Sequence, residues 1–192
     1  MAKRQLTPRD GPVLAIDPGR EQSALVRIDD SDIDAALLPN ADALLGLHGR
    51  NGEEVVVIER MNFMPNHCGD EIHETNVWAG RFLQMAESHG IIVHRIYRRT
   101  VAVHITGLTK GDATVRAAII DRYGGKDKAI GGVRCKKCNG KGWRGRDHDY
   151  CQPCFGRGWT HPPGPLKKVV THCWQALALG LAYLDGVELA DD

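Results

Sequence analysis

Two apolar runs in this chain end on a carboxylate. One covers residues 12–17 and closes on Asp17, and the other covers 54–59 and closes on Glu59. Carboxylates at the tips of two buried strands are how a sheet presents hard oxygen ligands to Mg²⁺ or Mn²⁺. In-line attack on a phosphodiester needs an activated water and a neutralised leaving oxygen, and two such ions about 3.5–4 Å apart supply both. Two carboxylates are too few to hold them, so a further ligand is expected from the last apolar helix. A second set of ligands lies in the near-repeats CKKCNGKGW and CQPCFGRGW, where Cys135, Cys138, Cys151 and Cys154 have the paired CxxC spacing of a tetrahedral Zn²⁺ site. Four thiolates leave zinc no open position, so this ion is expected to be structural.

The 192 residues suffice for one main core with a small appendage. The net charge of +1 excludes a polycation, so nucleic-acid affinity must come from local clustering. Residues 131–170 carry nine Lys or Arg against Asp147 and Asp149, which supplies it. No apolar stretch follows the basic N-terminus and none is long enough to span a bilayer, so a cytoplasmic protein with no membrane segment is expected. Thiols there stay reduced, which favours metal over disulfide.

The two carboxylates need a sheet to carry them. Residues 12–17, 23–28, 35–38 and 54–59 read as strands, the first three joined by short antiparallel connections and the fourth returning beside the first, which brings Glu59 to Asp17. A helix is expected over 74–89, a strand over 91–97 and a helix over 111–125. A core helix is expected over 170–184, with Thr171 and His172 in its first turn. Cys173 on that helix reads as a small buried hydrophobe.

With these elements in place, IDPGREQSALVRID, VVVIERM and HCWQALALGLAYLD resemble the RuvC-like Holliday junction resolvases of the ribonuclease H-like superfamily. The closest resemblance is to phage and prophage crossover junction endodeoxyribonucleases. LLPN, HETNVWAGRF, YRRTVAVHITG, GDATVRAAIIDRYGG and HPPGPLKKVVTHCWQALA extend the match from about Val13 to Asp185, interrupted by the cysteine segment. The CxxCxGxG repeat is itself similar to the cysteine-rich segments of DnaJ-type chaperones.

The resemblance implies an α/β fold: a ribonuclease H-like mixed sheet flanked by helices, with a small zinc-knuckle insertion before the last core helix. Its nuclease domain would cover 12–130 and 164–186, the knuckle 131–163, and flexible termini 1–11 and 187–192. It further implies catalytic and Mg²⁺- or Mn²⁺-binding roles for Asp17, Glu59 and His172, where many members place Asp at the last position. Gln175 stands where a further Asp is often found, and an amide is the weaker ligand. Asp112, Glu74, Asp185 and Glu71 are held in reserve. Branched DNA is the expected partner, contacted by Arg98, Arg99, Lys110, Arg116, Lys136, Lys137, Lys141 and Arg144, and a homodimer is expected because symmetric cutting needs two sites. The main rival is a branched-DNA binder with a weak or inactive centre, motivated by Gln175. A sugar-kinase or actin-like ATPase needs a second related domain, for which there is no room. A zinc-based protein adaptor is a third possibility, and it would lose all function on deletion of Gly132 to Pro163, where a nuclease would keep its metal-bound core and weakened cutting. A further ligand-rich stretch, NHCGDEIHE with His67 and Cys68, matches no defensible site.

Overall fold

The computed structural model describes residues 11–48, 50, 54–61, 69–109, 111–144 and 149–187. The chain divides into two compact units, residues 1–118 with 168–192, and residues 119–167.

In the first unit β1 (Val13–Asp17), β2 (Gln22–Asp29) and β3 (Asp32–Pro39) form an antiparallel meander, and β4 (Val55–Arg60) and β5 (Val93–Tyr97) extend it in parallel. The strand order is β3-β2-β1-β4-β5. Ile16 is paired with Ile58 across parallel strands, so Asp17 and Glu59, one residue further along each, end side by side. Side chains alternate along a strand. Leu14, Ile16, Val56 and Ile58 therefore share the face covered by α1 (Asn40–His48) and α2 (Asp70–Ser88) through Leu47, Phe82 and Ala86. Asp17 and Glu59 have the opposite parity and belong to the face crossed by α6 (Cys173–Leu184), whose residues from Cys173 to Tyr183 are all buried. Cys173 is among them, as its place on a core helix predicts.

Two helices of this unit were not foreseen from the sequence. α1 follows Pro39 directly, and α3 (Arg98–Thr106) occupies the stretch between the strand expected over 91–97 and the helix expected over 111–125, ending at Gly107 with φ 71°. Arg98 and Arg99 are thus in a helical first turn. The last helix also starts later than expected. Thr171 takes a positive φ of 39°, which a β-branched residue rarely adopts, and helical geometry is delayed to Cys173. His172 is therefore the N-cap residue instead of lying inside the first turn. α4 (Asp112–Arg122) agrees with its expected span.

In the second unit a short helix α5 (Lys126–Ala129) precedes two small antiparallel ladders, β6 (Gly131–Arg134) with β9 (Trp159–Pro163), and β7 (Trp143–Arg144) with β8 (Asp149–Tyr150). Among the described residues no helix is long and apolar enough to cross a membrane.

Candidate active site and thiol centre

Asp17 and Glu59 are 5 % and 3 % exposed, which is costly for two carboxylates whose strands place them next to each other. Burial pushes Asp17 up to about 6, against the pull of the Arg98 and His172 charges. Burial and then the Asp17 charge push Glu59 up to about 8. The third expected member, His172, stands at the rim with its side chain 71 % exposed and Nδ1 3.7 Å from Asp17 Oδ2. The three residues singled out from the sequence are thus brought together. Gln175, one turn further along α6, is buried.

Arg98, expected to contact DNA, lies within this acidic group. Its Nη1 is 3.4 Å from Glu59 Oε1, and its Nη2 donates to both carboxylate oxygens of Asp112 at 3.0 Å. Glu59 and Asp112 outweigh burial and raise the Arg98 pKa, so the guanidinium is a fixed cation beside Glu59. Asp112 is thereby near enough to push both carboxylates further up. The other reserve acids lie elsewhere. Glu71 lines the cleft and is 3.9 Å from Arg20, Glu74 is exposed on α2, and Asp185 follows the far end of α6 beside His104.

Asp17 opens into a cleft of about 430 Å³ lined also by Pro18, Gly19, Arg20, Leu37, Glu71, Thr75, Arg98 and His172, among others, whereas Glu59 lines a second cleft of about 190 Å³ with Arg60 and Arg95; Met61 borders both. A residue missed in the sequence fixes the wall of the first. Asn40, 3 % exposed, accepts from Ser23 Oγ at 2.6 Å and donates to the Gly19 and Arg20 carbonyls at 3.0 Å, clamping the turn that follows Asp17. The signal was present in LLPN, a polar residue closing an apolar strand.

The four thiols of the second unit are buried and lie within 4.8 Å of one another. Cys135 and Cys151 sulfurs are 3.9 Å apart and those of Cys138 and Cys154 3.6 Å. Tetrahedral zinc with bonds of about 2.3 Å requires sulfurs about 3.8 Å apart. A disulfide would require about 2.05 Å. Burial raises the Cys138 thiol, but the Gly142 N–H and the three other thiols outweigh it and bring it down to about 7. Burial and its own three thiol neighbours push Cys151 up to about 12, so without metal the cluster favours a thiolate at Cys138 and a thiol at Cys151.

Local duplication builds this site. At an offset of 16 residues, Cys135 N–H donates to Gly158 and Cys151 N–H to Gly142. Gly142, at φ 84°, packs on the Gly156 carbonyl, and Gly158, at φ 77°, packs on that of Gly140; a Cβ at either would come within 2.2–2.3 Å of that oxygen. Only glycine fits there.

The remaining basic residues singled out from the sequence are dispersed. Arg99 is exposed on α3, and the Arg116 guanidinium lies 4.9 Å over the Trp174 ring. Lys136, Lys137, Lys141 and Arg144 are exposed on the thiol unit. Lys110, His67 and Cys68 lie outside the described residues.

No protein-family model matches the chain, and no curated protein sequence does either. Solved structures do match. Thermus thermophilus RuvC in complex with a Holliday junction substrate shares 17 % identity at a TM-score of 0.54, covering 94 % of this chain and 100 % of RuvC. A second structure of Thermus thermophilus RuvC gives 17 % identity, a TM-score of 0.49 and coverage of 93 % and 99 %. With its mixed five-stranded sheet, flanking helices and four-thiol segment ahead of the last one, the chain has the ribonuclease H-like fold of RuvC.

Proposed function

We propose that this protein is a metal-dependent, structure-selective endonuclease that cleaves phosphodiesters in branched DNA such as Holliday junctions. The observation carrying this reading is the side-by-side burial of Asp17 and Glu59 at the open end of parallel strands, with the His172 imidazole 3.7 Å from Asp17. Burial raises the pKa of both carboxylates, and the Asp17 charge raises that of Glu59 further, so negative charge is held there at a cost. A divalent cation relieves it, so the donor set fits Mg²⁺ or Mn²⁺, with the imidazole favouring Mn²⁺ more than an all-carboxylate set would.

Asp17 and Glu59 would hold the ions, which when bound would activate water and stabilise the leaving oxygen. Asp17, at about 6, is mostly ionised at neutral pH and is the anchor. His172 stands beside Asp17, where the one free ring-nitrogen lone pair of its imidazole would complete the metal donor set. Asn40 and Ser23 hold the turn beyond Asp17 rigid, so the carboxylate keeps one position. The four thiols hold structural zinc. The match to RuvC bound to a junction supports branched DNA as substrate, and paired cutting of a junction calls for a homodimer.

A second reading, a junction-binding protein with weak catalysis, is favoured by one contact, that of Arg98 with Glu59. Incubating a four-way junction and a linear duplex with Mg²⁺ or Mn²⁺ separates the two. Cleavage of the junction that Asp17→Asn abolishes supports the nuclease, and retention of binding with no Asp17-dependent cleavage supports the binder.

A further inference from the structure

The thiol unit has a feature that zinc binding does not require. The residue after the second cysteine of each half, Asn139 or Phe155, takes a left-handed backbone with φ 50°. A short polar Asn tolerates that conformation, whereas a bulky aromatic is strained by it. Phe155 is also 66 % exposed, so burial does not compensate for the strain. Its neighbours share the pattern. Tyr150 is 55 % exposed and Trp143, its cross-strand partner, 42 %. The Tyr150 ring lies against Gly156, next to Phe155, so close that a Cβ there would be 2.8 Å from it. In the other ladder, Trp159, which matches Trp143 at the offset of 16 residues, is half-buried and has the Arg134 guanidinium of its partner strand 5.9 Å from its ring. One ladder of the duplicated module covers its aromatic, while the other presents a cluster of rings. Lys141, Arg144 and Arg157 are exposed in the same loops.

We infer that this face is a stacking platform for unpaired nucleobases of DNA, with Phe155 and Tyr150 offering ring faces and Lys141 and Arg144 taking the flanking phosphates. The inference rests on the branched-DNA reading and deepens it by naming the part of the substrate this unit takes. Cations alone would suit duplex and single strand equally. Exposed rings add affinity only where base faces are free, and each such stack carries a severalfold preference.

The test uses the full-length zinc-loaded chain and Phe155→Asn, which copies the residue of the other half. Zinc content should be unchanged and the melting temperature equal or higher. Fluorescence anisotropy without added Mg²⁺ or Mn²⁺ compares a labelled oligothymidylate with a blunt duplex of equal length. Phe155→Asn is expected to weaken single-strand binding by about fivefold or more and duplex binding by less than about twofold. Lys141→Ala is expected to weaken both alike. Unchanged single-strand affinity in Phe155→Asn, an equal loss on both probes, or no affinity of the wild type for the single strand would each overturn the inference. The nuclease reading is judged apart from it, by cleavage lost in Asp17→Asn. Cutting with normal binding by Phe155→Asn sinks only the stacking platform, and Phe155-dependent binding with no cutting sinks only the nuclease.

Discussion

Cys135, Cys138, Cys151 and Cys154 come from one continuous segment and bring four donors within 4.8 Å, each loop closed by hydrogen bonds from the other. Asp17, Glu59 and His172 come from two strand ends and a helix cap far apart in the chain. Among the described residues only the thiols form a group of three or more metal-type donors that close together. The thiol cluster is complete once zinc is bound, and it leaves no ligand position for a substrate. The acidic cluster holds like charges in a dry place, with a guanidinium already beside one of them. A site whose charges are unbalanced can change its energy when cations and phosphate arrive, whereas a balanced one can only hold shape. The contrast separates the ion that would build the protein from the ions that would act through it.

The largest effect expected from breaking this contrast is loss of zinc. Structural zinc contributes on the order of 10 kcal/mol to such modules. Cys138→Ser or chelation should therefore unfold the thiol segment while the sheet persists. Hydrogen exchange reads this directly. The Cys135 and Cys151 amides, bonded to Gly158 and Gly142, should lose protection and those of β1 should keep it. Equal loss in β1 would show that the thiol unit does more than hold itself.

Asp17→Asn comes next and should act in opposite directions on activity and stability. Cleavage should fall by about 10³-fold, since an anchoring carboxylate is lost. The metal-free protein should gain about 1–2 kcal/mol at neutral pH, a rise of roughly 2–8 °C in Tm, because the repulsion on Glu59 disappears. The pH dependence follows. Asp17 and Glu59 titrate at about 6 and about 8 in the folded protein against ordinary values of 3.8 and 4.5, so the native state binds more protons through that window. Their contribution to metal-free stability is full below about pH 4 and is lost as pH rises toward 8. Thermal melts across pH 4–9 should show the decline in the wild type and a flatter profile in Asp17→Asn.

The same contrast sets what could be read from the sequence. The thiol site was legible in full because its ligands, spacing and glycines are local. The acidic pair was legible because an apolar strand that stops on a carboxylate is unusual, and strand parity then assigns it to the α6 face. α1 was missed because Asn40–His48 is a short segment after a strand-like run and a proline, and its helicity comes from packing Ala43 and Leu47 on α2 and the sheet. Missing α3 mattered more. Arg98 was expected to contact DNA, and only the helix beginning there turns its guanidinium to Glu59 and Asp112, contacts made 39 and 14 residues away. Long-range charge pairing leaves no local periodicity to detect.

His172→Ala should reduce cleavage by about 10- to 100-fold with little change in Tm, because the imidazole is at the rim and 71 % exposed. His172→Asp sharpens the point, since a carboxylate there should retain activity in Mg²⁺ and lose the preference for Mn²⁺. A ratio of Mg²⁺ to Mn²⁺ rates unchanged by either substitution would place His172 outside the metal's reach.

The smallest effect is expected at Arg98, where two roles make opposite demands. A phosphate contact would show as weaker junction binding after Arg98→Gln, with the metal requirement unmoved. A counter-cation for Glu59 predicts the reverse, because a fixed positive charge 3.4 Å from Glu59 Oε1 competes with any divalent ion for that oxygen. Both terminal nitrogens of Arg98 face carboxylates, which favours the second role. The comparison belongs above pH 8.5, where Glu59 is mostly ionised and the guanidinium is its main remaining competitor. There Arg98→Gln should lower the Mn²⁺ concentration for half-maximal binding by about threefold, read by electron paramagnetic resonance, and change junction affinity by less than about twofold. Weaker junction binding with an unaltered Mn²⁺ titration would return Arg98 to the DNA-contacting surface and leave Glu59 without its internal cation.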